Sequence, residues 1–395
     1  LKDYGKTNSF SYNAGTQYHW VQGISKITGG IESRGEFLTD KKLGYPDWEN
    51  AYMGPDSTMV IPHVGNTTIA DQITNTTGAF AQYELTLNKV KLSVGTRYDH
   101  YIISDQQLNG NDKTGNVFSP RITILYDIME FLQARISYSQ GYRAPQIFDE
   151  DLHIETSGSR QVIHENAPDL KQETSNSFMA SLDFNKSYGR TKISLLAEGF
   201  YTELNDAFVN EYGEPDSNGV VIYTRHNAEK GANVYGLNLE FNFYLNRHFN
   251  LGSGFTIQKS QYEEVQDFNT KDYLRTPDQY GYLTMELKPL KKLVVSASGT
   301  YTGKMQVPYF GLDIPDPDKG ELRTSKAFFD LGLKLRYNIK LNGATLQLFA
   351  GMKNIFNSYQ DDFDRGIDRD PGYIYGPLLP RTVYFGFKIG NMLGN

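Results

Sequence analysis

The chain consists of about fifteen stretches in which apolar and polar residues alternate. In a typical stretch every second residue is apolar, as in Tyr235, Leu237, Leu239, Phe241 and Phe243. A period of two indicates a β-strand with one apolar and one polar face. Because no helical pattern separates these stretches, the sequence predicts an all-β protein built on an antiparallel sheet.

The breaks between the stretches alternate between short and long from residue 39 onward. The short breaks lie near 88–90, 127–130, 185–190, 246–248, 289–292 and 338–343. The long breaks lie near 39–75, 104–116, 141–175, 205–230, 261–276, 304–325 and 357–379. Antiparallel strands send alternate connections to opposite rims, and bacterial outer-membrane barrels have short periplasmic turns and long extracellular loops. The pattern therefore predicts a transmembrane antiparallel β-barrel.

Two other architectures compete with the barrel. A β-propeller would repeat a related blade at roughly 40–45 residues, and the sequence contains no repeated blade motif. A soluble all-β sandwich would also place charged residues on one face of each strand. The order of short and long breaks, and strands of about ten residues, favour the barrel.

Composition narrows the class of protein further. The 395 residues include 28 Tyr and 23 Phe but only 2 Trp, with a mean hydropathy of −0.51. Many aromatics in a polar chain suit the aromatic girdles of a membrane barrel. The absence of cysteine excludes disulfides, thiolate metal sites and cysteine nucleophiles. A net charge of −7 gives no electrostatic support to a nucleic-acid partner.

The strand count is odd, whereas single-chain bacterial barrels have an even number of strands. An open sheet edge in lipid would leave backbone groups without hydrogen-bond partners. We therefore expect residues 1–395 to be one part of a larger barrel domain, and we expect the first strands of that domain to be missing from these residues. The alternative is one unrecognised strand within the break at 39–75.

Four segments at predicted strand ends resemble motifs of the TonB-dependent outer-membrane receptors, of the kind common in Bacteroidetes. They are Tyr142-Arg143-Ala144-Pro145, Asn166-Ala167-Pro168-Asp169-Leu170-Lys171-Gln172-Glu173-Thr174-Ser175, Lys353-Asn354-Ile355-Phe356-Asn357 and Pro380-Arg381-Thr382-Val383-Tyr384. The chain departs from the family pattern by the inserted Ala167, by Gln172 in place of Pro and by Pro380 in place of Gly. Its end at Asn395 replaces the frequent terminal aromatic residue.

The resemblance implies a barrel of twenty-two strands with an N-terminal plug, of which this chain would be the C-terminal part. It implies import of a scarce large solute across the outer membrane of a Gram-negative bacterium, with outer-membrane lipid around the barrel. The cargo would be a metal chelate, namely a ferric siderophore, haem or cobalamin, held by the extracellular loops and the upper lumen wall. The TonB–ExbB–ExbD complex would supply the energy through the plug. Whether a surface lipoprotein assists is left open.

An importer of this kind needs no catalytic residue and no resident cofactor. Two other functions remain as alternatives: a passive porin-like channel, and an outer-membrane hydrolase with a Ser, a His and a carboxamide or carboxylate on the wall. No nucleophile motif accompanies the His residues, and a porin would lack the family motifs.

Three groups of residues are candidates for binding. In the long break at 141–175, the resemblance implies haem-iron ligation by His153 or His164; the alternative is that both are solvated. Aromatic residues near the long-loop rim could stack on a planar cargo or belong to the girdle: Tyr309, Phe310, Tyr373 and Tyr375. Carboxylates in an acidic segment could bind Ca²⁺ or be neutralised by neighbouring arginines: Asp361, Asp362 and Asp364.

The two motifs that flank the 141–175 break are predicted to be mainly structural. Pro145 and Pro168 would fix the local backbone, and Arg143 would pair with a carboxylate of the lumen or plug, or contact the cargo. The remaining motif residues are expected to support the loop: Tyr142, Ala144, Asn166, Asp169 and Leu170.

Overall fold

The computed structural model describes residues 5–42, 46–55, 57–62, 65, 67–105, 112–146, 161–214, 220–366, 369–370 and 372–390. Strands dominate this part of the chain, with one 3-10 turn at Asp267–Asn269. The strands are β1 Gly5–Gln22, β2 Ser25–Lys42, β3 Tyr52–Met53, β4 Met59–Val60, β5 Thr67–Leu87, β6 Val90–Asp105, β7 Lys113–Met129, β8 Leu132–Arg143, β9 Gln161–Asn166, β10 Glu173–Tyr188, β11 Thr191–Asn205, β12 Phe208–Tyr212, β13 Val220–Asn227, β14 Ala232–Leu245, β15 Phe249–Gln266, β16 Thr270–Asp272, β17 Gln279–Leu290, β18 Leu293–Thr302, β19 Gln306–Tyr309, β20 Glu321–Thr324, β21 Phe328–Leu341, β22 Ala344–Lys353 and β23 Thr382–Gly390. Within these ranges, no helix is long and apolar enough to cross a membrane.

One large antiparallel sheet forms the wall. Its order is β1-β2-β5-β6-β7-β8-β10-β11-β14-β15-β17-β18-β21-β22-β23, and β16 pairs with β15 at one end. The fifteen strands of this path confirm the predicted all-β fold and strand count. β3 and β4, which lie in the break at 39–75, pair with each other and add no strand to the wall.

The connections confirm the predicted alternation. Tight turns join β5 to β6, β10 to β11, β14 to β15 and β21 to β22, and long segments join the strands at the opposite rim. The tight turns contain residues with positive φ: Asn88, Gly189, Asn246 and Gly343. Glycine and asparagine tolerate this conformation best, which explains their place in these turns.

The strands extend further than the alternation predicted. The break expected at 39–75 is shorter, because β2 continues to Lys42 and β5 begins at Thr67. Their pairing runs on to Lys42↔Thr67, with a register shift between Asp40 and Lys41. Above the membrane both faces of a strand meet water, so polar residues on both faces hide a strand whose backbone pairing continues.

The apolar faces of the strands point outward. On β23, Val383, Phe385, Phe387 and Ile389 are 65–88% exposed. Burial of apolar surface is worth roughly 25 cal/mol per Å², and a continuous apolar surface of this kind indicates contact with another apolar phase. The arrangement matches a wall that faces lipid.

The polar faces line the inside of the wall. Arg97 donates hydrogen bonds of 2.8 Å to Glu32 and to both carboxylate oxygens of Asp99. A Cβ atom at Gly78 would lie 2.0 Å from Asp99 Oδ1, so only glycine leaves room for this carboxylate. The charged residues at mid-strand therefore bind each other along β6 and, over the intervening β5, to β2.

Candidate functional site

A small sheet covers part of the long-loop rim. β12 pairs antiparallel with β13, and β13 pairs parallel with β9. Under it lies a small apolar core of Ala207, Val209, Ala228 and Ala232, with Leu204, Tyr262 and Tyr273 packed against it. We call this unit the first loop body; it sits on the upper ends of β11, β14 and β15.

Two tyrosines attach the first loop body to the wall. The rings of Tyr262 and Tyr273 stack with centroids 4.3 Å apart and planes 4° apart. The Tyr262 hydroxyl donates a 2.9 Å hydrogen bond to the carbonyl of Phe208. Burial is the main reason that the pKa of Tyr273 is raised to about 12.

A second loop body combines the β19–β20 hairpin with the segment 354–381. Its apolar core consists of Met305, Val307, Tyr309, Ile314 and Tyr373. The guanidinium carbon of Arg323 lies 3.4 Å from the centre of the Tyr309 ring, a cation–π contact. The Tyr309 hydroxyl donates to Asp313, and this bond is the main reason that the pKa of the Asp313 carboxyl is lowered.

Gln360 holds the segment 354–381 together. Its side chain is fully buried and donates a 2.9 Å hydrogen bond to the carbonyl of Tyr373. The side-chain carbonyl oxygen of Gln360 accepts hydrogen bonds from the backbone N–H groups of Tyr375 at 2.9 Å and Gly376 at 3.3 Å. The Tyr375 hydroxyl donates to both oxygens of Asp362 at 2.7 Å, so the two arms of the loop are joined at two levels.

Four aromatic rings connect the two loop bodies: Tyr212, Tyr223, Phe268 and Phe310, which we call the aromatic bridge. Tyr212 stacks on Tyr223 with centroids 4.1 Å apart and meets the Phe310 ring edge-on at 4.8 Å. Phe268, in the 3-10 turn, lies 5.8 Å from Phe310. All four residues are half-buried.

Polar contacts reinforce this connection. Arg275 donates hydrogen bonds to the carbonyls of Gly372 at 2.6 Å and Ile374 at 2.8 Å. The backbone N–H of Phe310 donates to the Asp370 carboxylate at 2.9 Å. The Arg275 bonds tie the segment after Tyr273 to the second loop body, and the Asp370 bond fixes the backbone of Phe310 within that body.

The two motifs around the 141–175 break lie at the base of the first loop body. Tyr142 stacks on Tyr101 with centroids 6.1 Å apart. Arg143 is exposed and lies 5.7 Å from the centre of the Phe208 ring. In the second motif Leu170 is buried, and the N–H of Ala167 donates to the carbonyl of Arg225 at 2.9 Å.

The other residues of these motifs complete the base. Pro145 is buried and Ala144 half-buried, and Ala144 packs against the core formed by Tyr101, Ile103 and Val117. Asn166 ends β9 opposite Arg225, and the exposed Pro168 and Asp169 form the turn that follows. The structural role of these motif residues stays a prediction.

The motif at the end of β22 forms the base of the second loop body. Asn354 and Asn357 have φ values of 47° and 55°, a conformation that asparagine accepts more readily than most residues. The buried Asn354 amide donates to the carbonyls of Ser358 at 3.2 Å and Leu379 at 3.0 Å. The side chain of Asn357 accepts from the N–H of Arg381 at 2.9 Å. Both asparagines thereby close the loop before β23.

The predicted aromatic residues divide into two kinds. Tyr309 and Tyr373 are each 3% exposed, because they form the core of the second loop body. Phe310 and Tyr375 are half-buried at its surface. Cargo contact with all four residues stays a prediction, and for Tyr309 and Tyr373 it would require the loop to open.

The predicted histidines are less defined. His153 lies outside the described residues. His164 lies on β9, where its backbone pairs with Tyr223 of the aromatic bridge. The role of either residue in haem binding stays a prediction.

The three predicted calcium ligands point to different partners. Asp361 pairs with Lys326, Asp362 accepts from Tyr375, and Asp364 accepts from the N–H of Asp370 at 2.7 Å. In the part of the chain that the structure describes, no group of three or more His, Asp or Glu residues is placed to hold a metal ion. The described contacts therefore give the calcium site no support.

Sequence reasoning did not identify Tyr212, Tyr223, Phe268 or Gln360. The three aromatic residues lie in segments too short to show a period, and a single glutamine in a loop carries no pattern. Tyr212 and Tyr223 become partners through the β12–β13 hairpin, which the sequence analysis did not predict.

Comparison with known proteins identifies the family. The family described as TonB dependent receptor-like, beta-barrel matches residues 2–355. The chain belongs to this family. Its members are outer-membrane β-barrels of Gram-negative bacteria, which confirms the predicted location and the resemblance to TonB-dependent receptors.

Solved structures share the fold of this receptor barrel. They include the copper transporter OprC, with 13% identity and a TM-score of 0.69 over 98% of this chain and 56% of that one. The siderophore receptor PiuA from Acinetobacter baumannii has 13% identity and a TM-score of 0.67 over 98% and 56%. The ferric-catecholate import receptor Fiu from K12 E. coli has 17% identity and a TM-score of 0.64 over 97% and 54%.

The receptor barrel thus spans about half the length of the solved structures that it matches. At these identities the likeness shows the fold alone. No curated protein sequence matches the chain.

Proposed function

We propose that the receptor barrel provides the wall and outer loops of a TonB-dependent importer for a metal chelate. Family membership and the transporters and receptors among its structural neighbours support this function. The TonB–ExbB–ExbD complex would supply energy through a plug domain within the barrel. The candidate cargoes are a ferric siderophore, haem and cobalamin.

The aromatic bridge is the observation that carries the proposal for cargo binding. Phe310 contacts Tyr212 and Phe268 of neighbouring loops, and all three residues are half-buried rather than enclosed. A planar or aromatic chelate can stack on such surfaces, and aromatic contacts contribute about 0.5–1.5 kcal/mol beyond area burial. A cargo bound here would contact both loop bodies at once.

This position also suggests how binding reaches the wall. The first loop body rests on β11, β14 and β15, and the second is closed at β22 and β23 by Asn354. A ligand at Phe310 would thus bias the relative position of loops attached to different parts of the wall. A ligand shifts the populations of two loop arrangements only if it binds one of them more tightly than the other.

Binding by the full-length receptor in detergent tests the site. Quenching of protein fluorescence is measured with a ferric catecholate, haemin and cyanocobalamin. Phe310→Ala should weaken binding of the recognised chelate about tenfold, the value of roughly 1.4 kcal/mol of lost contact.

Phe356→Ala is the matched control. Phe356 is 60% exposed and stacks on Phe329 with centroids 5.8 Å apart, outside the aromatic bridge, so its removal should leave binding unchanged. Equal affinities of wild type and Phe310→Ala would remove the aromatic bridge from the proposal. If none of the three chelates binds, the proposed cargo class is wrong.

A further inference from the structure

Four consecutive short turns of the barrel carry positive charge and no acidic residue. They are the segments 186–192, 244–250, 287–293 and 338–345. Their cations, which we call the basic turn surface, are Lys186, Arg190, Lys192, Arg247, Lys288, Lys291, Lys292 and Lys340. Because the whole chain carries −7 and these segments carry +8, the remaining residues carry −15. The charge is therefore strongly divided along the molecule.

Most of this charge is open to the surroundings. Arg190, Arg247, Lys291, Lys292 and Lys340 are exposed, and none of them forms an ion pair with any residue that the structure describes. Like charges brought together without counter-charges raise the local potential and attract anions. The basic turn surface therefore calls for an anionic partner from outside the described chain.

Two members of the surface have local partners. Lys288 pairs with Glu286 at 3.1 Å. The Lys186 ammonium lies 4.1 Å from the centre of the Phe131 ring and 5.1 Å from that of Tyr188. The two contacts of Lys186 place a cation directly against outward-facing aromatic rings.

Apolar side chains are exposed at the same level. Tyr188, Leu245, Leu290 and Leu341 are 41–62% exposed. Tyr188, Leu245 and Leu341 end the outward-facing apolar rows of β10, β14 and β21. Lysine and arginine extend their charged ends toward a polar interface while their alkyl stems remain in apolar surroundings. The turns thus present apolar groups on the membrane side and cations at the level of the headgroups.

We propose that the basic turn surface binds the anionic headgroups of phospholipids in the periplasmic leaflet, such as phosphatidylglycerol. The short turns of bacterial barrels lie on the periplasmic side. Each Lys or Arg near an anionic membrane contributes about 1 kcal/mol of attraction, which decays within a Debye length. Because the cations continue the lipid-facing apolar surface, lipid fits better than an acidic segment of a soluble protein.

Lipid retention tests this surface. The full-length receptor is reconstituted in phosphatidylcholine vesicles containing about 20% phosphatidylglycerol, an anionic fraction that produces a surface potential. After gentle detergent extraction, mass spectrometry measures the ratio of phosphatidylglycerol to phosphatidylcholine that stays bound. We expect the wild type to enrich phosphatidylglycerol about threefold or more over the vesicle ratio and to lose this enrichment at high salt.

Variants locate the effect. The combination R190Q, R247Q, K291Q and K340Q should return the bound ratio close to that of the vesicle. The combination K230Q, K271Q, K304Q and K319Q removes four positive charges at the long-loop rim and should keep the enrichment. The charge-preserving combination R190K, R247K, K291R and K340R should also keep it, which separates loss of charge from a folding defect.

Three results would overturn the proposal. The first is a bound ratio equal to the vesicle ratio in the wild type. The second is unchanged enrichment after the four glutamine substitutions in the turns. The third is salt-dependent binding of a glutamate-rich peptide by a wild type that does not enrich phosphatidylglycerol, since this would indicate a protein partner.

Discussion

Replacement of Gln360 by leucine should release the segment 354–381 while the barrel wall stays folded. Leucine has a similar volume but cannot form a hydrogen bond. The substitution would leave the carbonyl of Tyr373 and the N–H of Tyr375 without the partners that they have at 2.9 Å. The site is fully buried, so water cannot replace these partners unless the loop opens.

The magnitude follows from the number of groups affected. A buried polar group without a partner costs about 1–3 kcal/mol, so two groups cost roughly 2–6 kcal/mol of local stability. Each 1.4 kcal/mol changes an equilibrium about tenfold. The population of the open loop should therefore rise by roughly a factor of 30 to 20,000.

Hydrogen–deuterium exchange on the full-length receptor measures this opening directly. Peptides that cover 372–381 should exchange faster in Gln360→Leu, whereas peptides from β5 and β6 should be unchanged. Leu378→Gln is the control, because it is the reverse substitution at a position of the same loop that is 55% exposed. It should leave the hydrogen–deuterium exchange of these peptides unchanged. Gln360→Glu adds a second test, because protonation at low pH returns a donor to Tyr373 and should slow exchange again.

Equal exchange rates in wild type and Gln360→Leu would refute the role of Gln360 in closing the loop. Faster exchange throughout the wall would also contradict it, since the hydrogen bonds of Gln360 lie within the second loop body.

Three further predictions concern other parts of the structure. Asn354→Leu should cost about 2–4 kcal/mol of local stability, because it introduces strain at positive φ and removes hydrogen bonds. Proteolysis of the segment 358–379 should therefore become faster. The control Asn342→Ala should leave the rate of this proteolysis unchanged. The pKa of Tyr273 is raised to about 12, so the neutral phenol favours the folded state. The stability of the first loop body should therefore fall as the pH rises from about 10 toward 12. Hydrogen–deuterium exchange of this loop body measures the change. Arg97→Met should lower the urea midpoint of unfolding, because it removes the partner of the buried Asp99 at a cost of about 2–4 kcal/mol. Asp99→Asn in the same chain should recover part of this lost stability. If the effects of the two substitutions simply add, Arg97 and Asp99 are not coupled and the prediction is wrong.

The wall could be predicted from the sequence because its pattern is local. Outward and inward residues alternate along each strand, so a stretch such as Leu92 to Tyr98 contains the information on its own faces. The ends of the strands could not be predicted, because above the membrane both faces are polar. This is why β2 and β5 extend past the predicted break.

The loop bodies could be predicted only in part. Tyr309, Phe310, Tyr373 and Tyr375 lie together at the long rim as expected, but aromatic character does not distinguish a loop core from an open surface. The contacts that decide this are distant in sequence: Arg275 and Ile374 lie 99 residues apart. No periodicity carries such a pairing.

The most direct test of the account is uptake of a metal chelate by cells that depend on the full-length receptor. Cells that lack their own receptors express it, and accumulation of a radiolabelled ferric chelate, haem or cobalamin is followed with and without an ionophore that abolishes the proton gradient. A TonB-dependent importer should show saturable uptake that stops when the gradient is lost. Uptake that continues without the gradient and rises linearly with concentration would show a passive channel and contradict it.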